Sequence, residues 1–158
     1  MKSLLICFSY HHNNTEKIAN VIAKVLDAQI KKPQDINPEE LQEYELIGFG
    51  SGIYGAQHHE ALLDLADELP QGNNVKTFIF STSGVTRKFA IDHSIDDPHS
   101  TLREKLQSKG YMIVDEFTCV GFNTNSFLKL IGGANKGRPN AEDLKHAEEF
   151  AQNLKQSL

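Results

Sequence analysis

The sequence is poor in the features that mark several protein classes. Cysteine occurs only twice in 158 residues, and the spacing of Cys7 and Cys119 matches neither a disulfide framework nor a zinc site. No apolar run approaches the roughly 18 residues of a membrane-spanning helix. Basic residues are outnumbered, since 16 Lys and Arg face 21 Asp and Glu, which argues against non-specific nucleic-acid binding. These absences predict a cytoplasmic protein without a membrane span.

The remaining composition is typical of one globular domain. A length of 158 residues suits a single domain over residues 1–158 and suffices to bury a core without disulfides or metals. No repeat, low-complexity tract or Pro/Gly-rich linker divides the chain. Its start has only the short apolar run 4–8 and no small-residue cleavage site. We therefore expect a first strand there, not a signal peptide.

Buried-strand patterns alternate with amphipathic helical patterns along the chain. Five strands are predicted, at residues 4–8, 28–30, 44–50, 75–81 and 111–119. Helices are predicted after the cap-type residues 13–15, at the Asn37-Pro38 pair, over 58–69 and 98–108, and after Asn140. Strict alternation of this kind predicts an α/β fold with a parallel sheet and right-handed crossovers. Ligands of such sheets bind outside the carboxyl ends of the strands.

The segment after the first strand predicts an anion site. Residues 9–15 are rich in hydroxyl and amide groups and run directly into a helix, where the helix dipole attracts negative charge. No lysine ends the segment, so it is not a Walker P-loop. It suits a single terminal phosphate held by neutral donors. Simple capping of an ordinary helix is the alternative.

A glycine pattern follows the third strand. Residues 50–55 match G-x-G-x-x-G, but this is not the first strand-to-helix turn and the next strand closes without an acidic residue, so the dinucleotide fingerprint is weak. We interpret the glycines as letting the backbone approach a flat ligand, with Tyr54 against a ring face. A plain glycine-rich turn is the alternative. Small-residue turns also follow the next two strands, at 81–84 and 119–122.

Taken together, these segments resemble the flavodoxin family, which binds FMN, and the resemblance covers essentially the whole chain. It implies a flavodoxin-like three-layer sandwich whose five-stranded parallel sheet has the order 2-1-3-4-5. It implies that the FMN phosphate is held by Ser9, His11, Asn13, Asn14 and Thr15. It implies two isoalloxazine loops, made by Ser51, Gly52, Ile53, Tyr54 and Gly55 and by Thr82, Ser83 and Gly84. The phosphate loop is one residue longer than usual, with Asn13 in place of the usual glycine.

The cysteines and the histidine pairs each allow more than one role. Cys119 would lie close to the flavin, as a redox thiol or, as we favour, as a small buried residue. A disulfide with Cys7 is not expected, because three strand spacings of about 4.8 Å would separate the two. Adjacent histidines point apart, so the pairs at 11–12 and 58–59 predict no metal site. They would donate to phosphate or flavin, or lie exposed in loops.

The segment 119–139 separates the candidate functions. It is too long for a simple turn and too apolar for disorder, so it would act as a substrate lid, form a subunit contact or pack on the body. Small size and acidic charge favour an electron carrier between partner proteins, which needs no catalytic acid or base. An FMN-dependent oxidoreductase of quinones or similar planar acceptors, using NAD(P)H, is favoured by this segment and by basic residues near the flavin, namely Arg87, Lys88, His93, Lys129, Lys136 and Arg138. A flavin-free binding module on the same fold is the third alternative.

Overall fold

The fold is an α/β structure in which strands and helices alternate along the chain. The computed structural model describes residues 1–9, 14–84, 91–94, 96–121 and 137–158. The strands are β1 (Ser3–Phe8), β2 (Gln29–Lys31), β3 (Leu46–Tyr54), β4 (Gln57–His58), β5 (Lys76–Ser83) and β6 (Met112–Val120). The helices are α1 (Asn14–Leu26), α2 (Glu60–Glu68), α3 (Ser100–Ser108) and α4 (Ala141–Ser157), with 3-10 turns at Pro33–Asp35 and Pro38–Glu43.

The sheet has the predicted topology with one added strand. Its order is β2-β1-β3-β5-β6 with every neighbour parallel, which confirms the expected order of five parallel strands. The short β4 pairs antiparallel with β3 and was not predicted, because two residues carry no periodicity. The register aligns Phe8 with Ser51, Ser51 with Ser81, and Ser81 with Thr118. The carboxyl ends of four strands therefore form one continuous edge.

Both faces of the sheet are covered by helices. On one face Ile6, Phe49 and Ile79 pack with side chains of α2 and α3. On the other face Phe78 and Phe80 pack with side chains of α1 and α4. Parallel strands buried on both sides read as nearly continuous apolar runs, which explains why the central strands were predictable. Among the described residues, no helix combines the length and the apolar character that a membrane crossing requires.

Local signals at the helix ends hold in the structure. Asn140 forms a reciprocal capping box with Asp143 at the start of α4, which satisfies N–H groups that a helix start leaves open. Asn37 accepts from the N–H of Glu39 at 3.2 Å, where a short helix was expected. The helix predicted over 58–69 begins later, at Glu60. Residue 58 belongs to β4 instead, because the chain first turns back on β3.

Candidate functional site

The start of α1 is fastened to the ends of β5 and β6. The Thr15 side chain is buried, and its hydroxyl lies 2.8 Å from that of Thr82. The Asn14 side chain packs on Gly121, where an added Cβ would come within 2.5 Å of the Asn14 amide nitrogen. The structure thus brings together a predicted phosphate residue, Thr15, and a predicted isoalloxazine-loop residue, Thr82. The first strand-to-helix junction and the end of β5 form one unit.

The remaining predicted phosphate residues fall into two groups. The Ser9 hydroxyl accepts a hydrogen bond of 3.2 Å from the N–H of Glu16 in the first turn of α1. Ser9 therefore lies at the positive end of the helix, as predicted. His11 and Asn13 lie outside the part of the chain that the structure describes, so their role stays a prediction.

The segment predicted as the first isoalloxazine loop is a strand and a tight turn. Residues 51–54 continue β3, because Ile53 pairs with His58 in β4. The chain reverses at Gly55 and Ala56, whose φ angles are +57° and +63°. Positive φ at both central residues is the geometry of a two-residue type I′ hairpin, and it favours glycine. The prediction of a loop at 51–54 was wrong, because these residues belong to β3. Gly55, which was predicted in the same loop, does lie in a turn.

The interpretation of the first glycine in the G-x-G-x-x-G pattern was also wrong. A Cβ on Gly50 would lie 2.2 Å from the ring of Phe80, so this position is small because the core needs the space. Gly52 lies beneath the ring of Tyr54, whose hydroxyl would be 3.0 Å from an added Cβ. Only the second and third glycines lie where the strand meets the carboxyl edge.

The hairpin carries a cluster of aromatic rings at this edge. The ring of His59 stacks on Phe8 with centroids 3.7 Å apart and meets Tyr54 edge-on at 5.2 Å. His59 Nδ1 accepts the N–H of Ala61 at 3.0 Å, and burial lowers the pKa of His59. The His59 ring is therefore neutral, with its hydrogen on Nε2. The hydroxyl of buried Ser51 accepts a hydrogen bond of 3.0 Å from the N–H of His59. This hydroxyl therefore stabilises the end of the hairpin.

His58 is buried behind this cluster. Its Nε2 donates to the Phe80 carbonyl at 3.2 Å, and its ring centroid lies 4.9 Å from that of His99. Burial, followed by the nearness of His99, lowers the pKa of His58 to about 3. The ring is neutral at ordinary pH. Of the two roles left open for His58, exposure in a loop is wrong, because β4 turns this side chain inward.

A polar network that sequence reasoning missed lies beneath the end of β5. His99 Nε2 lies 2.7 Å from the Ser81 hydroxyl, and His99 Nδ1 lies 2.8 Å from a carboxylate oxygen of Glu116. Both Ser81 and His99 are buried. Ser81 Oγ also lies 3.1 Å from Thr118 Oγ1. The sequence contained one signal, since polar Glu116 and Thr118 alternate with Phe117 and so share one face of β6.

The same network reaches the surface through α3. Arg103 donates to both oxygens of Glu116, at 2.9 and 2.7 Å, and to Asp97 at 2.9 Å. Asp97 in turn accepts the backbone N–H of His99 at 3.0 Å. Burial alone would raise the pKa of Glu116 and of Asp97, but their hydrogen bonds outweigh it and both pKa values are lowered. Both carboxyl groups are therefore ionised.

The end of β6 holds a thiol and an ion pair. Burial, with the charge of Asp143, raises the pKa of Cys119 to about 12, which favours the reading of Cys119 as a small packed residue. Cys7 and Cys119 are free thiols on strands separated by β3 and β5. Arg138 donates to both oxygens of Asp143 at 2.5 Å. Its charge is thus matched within the fold.

Several predicted features lie elsewhere. Residues 122–136 are outside the described ranges, so the three interpretations of the segment 119–139 stay predictions. The same holds for four of the basic residues, Arg87, Lys88, Lys129 and Lys136. Across the described ranges, no three His, Cys, Asp or Glu side chains are grouped to hold a metal ion.

Comparison with known proteins agrees with this geometry. The family model of the flavodoxin domain matches residues 5–121. An uncharacterized protein of Methanocaldococcus jannaschii is 45% identical over 154 residues, which cover 98% of both chains. A flavodoxin from the domain Archaea matches with a TM-score of 0.73 and 17% identity over 99% of this chain and 98% of its own. The Fusobacterium nucleatum flavodoxin bound to flavin mononucleotide matches with a TM-score of 0.67 and 16% identity, over 100% of this chain and 99% of its own. The chain belongs to the flavodoxin family.

Proposed function

We propose that this protein binds FMN at the carboxyl edge of its sheet and carries electrons between partner proteins. The observation that carries the proposal is the fastening of Thr15 at the start of α1 to Thr82 at the end of β5, at 2.8 Å. It places the predicted phosphate end and a predicted ring loop side by side. The family membership of the chain and the FMN bound by the F. nucleatum flavodoxin support the same cofactor.

The residues at this edge fit the chemistry of FMN. A terminal phosphate needs N–H and hydroxyl donors and no carboxylate beside it. Residues 8–9, 14–15, 51–55 and 82–84 contain hydroxyl, amide, aromatic and glycine residues and no acid. The nearest acid in sequence, Glu16, has an exposed side chain. FMN would supply the redox chemistry, while these residues would bind its phosphate and its ring.

The state of Arg138 supports the carrier over the oxidoreductase of planar acceptors. The oxidoreductase reading relied partly on basic residues that would be free to face the flavin. Arg138 is instead held by both oxygens of Asp143, which also accepts the N–H of Asn140 at 2.8 Å. The charge of Arg138 is therefore balanced by Asp143, so this residue adds less positive charge at the site than an unpaired guanidinium would.

The first test is the visible spectrum of the purified protein. We expect a yellow protein with two flavin bands, or one that FMN restores to that state. The Ser9→Ala variant should bind FMN about ten- to a hundredfold more weakly, because it loses one charge-assisted hydrogen bond. Ser108→Ala is the matched control, since that hydroxyl bonds to the Lys105 carbonyl at the far end of α3. A colourless protein that FMN cannot restore would refute the proposed function.

The second test separates carrier from enzyme. The protein should transfer electrons from NADPH to cytochrome c only when a ferredoxin–NADP reductase is added. With NADPH and a quinone alone, turnover should be close to the rate without protein. Rapid quinone reduction without the reductase would overturn the carrier and favour the oxidoreductase of planar acceptors.

A further inference from the structure

The network around the buried His99 ring extends to the surface at Asp97 and has a net negative charge. We call Asp97, His99, Arg103 and Glu116 the His99 cluster. Two ionised carboxylates and one guanidinium leave a net charge of −1 while the His99 ring is neutral. Arg103 already makes hydrogen bonds to both carboxylates. One added proton on His99 would bring the cluster to zero net charge.

The neighbouring hydroxyls provide hydrogen bonds for both protonation states of His99. In the neutral ring, Nδ1–H donates to Glu116 and Nε2 accepts from the Ser81 hydroxyl, over the observed 2.8 and 2.7 Å. In the protonated ring, Nε2–H donates to Ser81, and the displaced hydroxyl hydrogen turns to Thr118 Oγ1, 3.1 Å away. A hydroxyl can donate one hydrogen and accept others. Protonation of His99 therefore leaves neither ring N–H nor the Ser81 hydroxyl without a hydrogen-bond acceptor.

The His99 ring is joined to the proposed cofactor edge through β5, by its contact with Ser81. Ser81 precedes Thr82, which is bonded to Thr15 at the start of α1. The His99 ring also packs on His58, the neighbour of His59 in the aromatic cluster. Negative charge added at the edge would favour protonation of His99, because charges in a poorly solvated interior are weakly screened from one another.

We propose that His99 is the proton acceptor coupled to reduction of this site. The proposal rests on the proposed function, since it needs a cofactor that gains electrons. A partner protein is oxidised and supplies the electrons. His99 takes one proton from solvent on Nε2, where a single N–H bond forms, and releases it when the electrons leave for the next partner.

The groups that face His99 explain why this ring and not its neighbour takes the proton. Glu116 from β6 and Asp97 before α3 attract a proton, while Arg103 from α3 and the His58 ring from β4 oppose it; β5 contributes only the uncharged Ser81. Burial lowers the pKa of His99 and the hydrogen bond to Glu116 raises it, with a net lowering. Within the described part of the chain His58 has no carboxylate partner, and its pKa of about 3 keeps it neutral.

The test follows the histidine ring nitrogens by long-range ¹H–¹⁵N correlation spectra over a pH series. The FMN-loaded protein is compared in its oxidised and fully reduced forms. We expect His99 in the Nδ1–H tautomer at neutral pH, gaining a proton on acidification. Its titration midpoint should be higher in the reduced protein by at least about half a pH unit, a roughly threefold change in proton affinity. An identical midpoint in both forms would refute the coupling.

Two variants and one control extend the test. His99→Asn keeps an amide donor towards Glu116 but cannot titrate, so the pH dependence of the midpoint potential should lose the contribution of one proton. Glu116→Gln keeps the ring but removes the excess charge, so the His99 titration should move to lower pH in both redox forms. His146→Asn changes an exposed histidine on α4 and should leave the potential profile as in the wild type.

The outcomes separate this proposal from the proposed function. A protein that binds no FMN fails the spectral test and refutes both together. A yellow protein in which His99→Asn keeps the wild-type potential profile refutes only the role of His99. If Glu116→Gln leaves the His99 titration in place, the charge argument is wrong and the proposal falls with it.

Discussion

The buried imidazole of His58 should make the stability of the fold sensitive to acid. Its pKa is lowered from 6.5 to about 3, so between these values the unfolded chain binds a proton that the folded chain does not. Stability therefore falls as pH drops through the unfolded value near 6.5, and this contribution levels off below about 3. Between these two pKa values, each pH unit of acidification lowers the free energy of unfolding by about 1.4 kcal/mol. From pH 7 to about 4.5, His58 should account for a loss of about 2–3 kcal/mol.

The assay is urea unfolding at pH 7 and at about pH 4.5. His58→Gln keeps an amide donor for the Phe80 carbonyl but has no titrating group, so its loss of unfolding free energy between the two pH values should be smaller than that of the wild type by about 2–3 kcal/mol. His146→Gln makes the same chemical change at an exposed position of α4 and should behave as the wild type. Because each variant is compared with itself at two pH values, a lower starting stability does not matter. Equal losses in all three proteins would refute the burial argument.

Three further outcomes follow from contacts at the sheet edge. Gly50→Ala should destabilise the fold by about 2 kcal/mol, because the new Cβ would lie 2.2 Å from the ring of Phe80; an unchanged urea midpoint would contradict this packing. Thr15→Val should cost about 1–2 kcal/mol by leaving the Thr82 hydroxyl buried and unpaired, and adding Thr82→Val should recover part of it, which a double-mutant cycle in urea would measure. Cys119, with its pKa raised to about 12 from 9.0, should react with iodoacetamide near pH 8 about a thousandfold more slowly in the folded than in the unfolded protein; mass spectrometry of the two states checks this, and equal rates would argue against the burial.

The layered fold was predictable because its signals are local and repeated. Each central strand is buried on both faces, so its apolar run is visible without knowledge of its partners. Asn140 and Asn37 mark helix starts by their own chemistry, and both cap as expected. The family resemblance then supplied the strand order, which alternation alone leaves open.

The hairpin and the His99 cluster depend on contacts that local pattern does not encode. β4 has two residues, and its pairing of Ile53 with His58 turns what reads as a glycine-rich loop into strand. Ser81, His99 and Glu116 lie far apart along the chain, and each alone is an ordinary polar residue. These three residues meet because β5 pairs with β6 in this register and because α3 begins beside the two strands.

Neighbouring residues of β5 couple the two helical layers to the site. Side chains alternate across a strand, so Thr82 reaches the α1 side, where it meets Thr15, while Ser81 reaches the α3 side, where it meets His99. A shift of the strand end must therefore strain both hydrogen bonds at once. Gly84, which follows these two residues, begins the segment that would contact the flavin ring. We expect its position to respond both to phosphate binding at α1 and to the charge of the His99 ring, although the start of α1 and the His99 ring lie on opposite faces of the sheet.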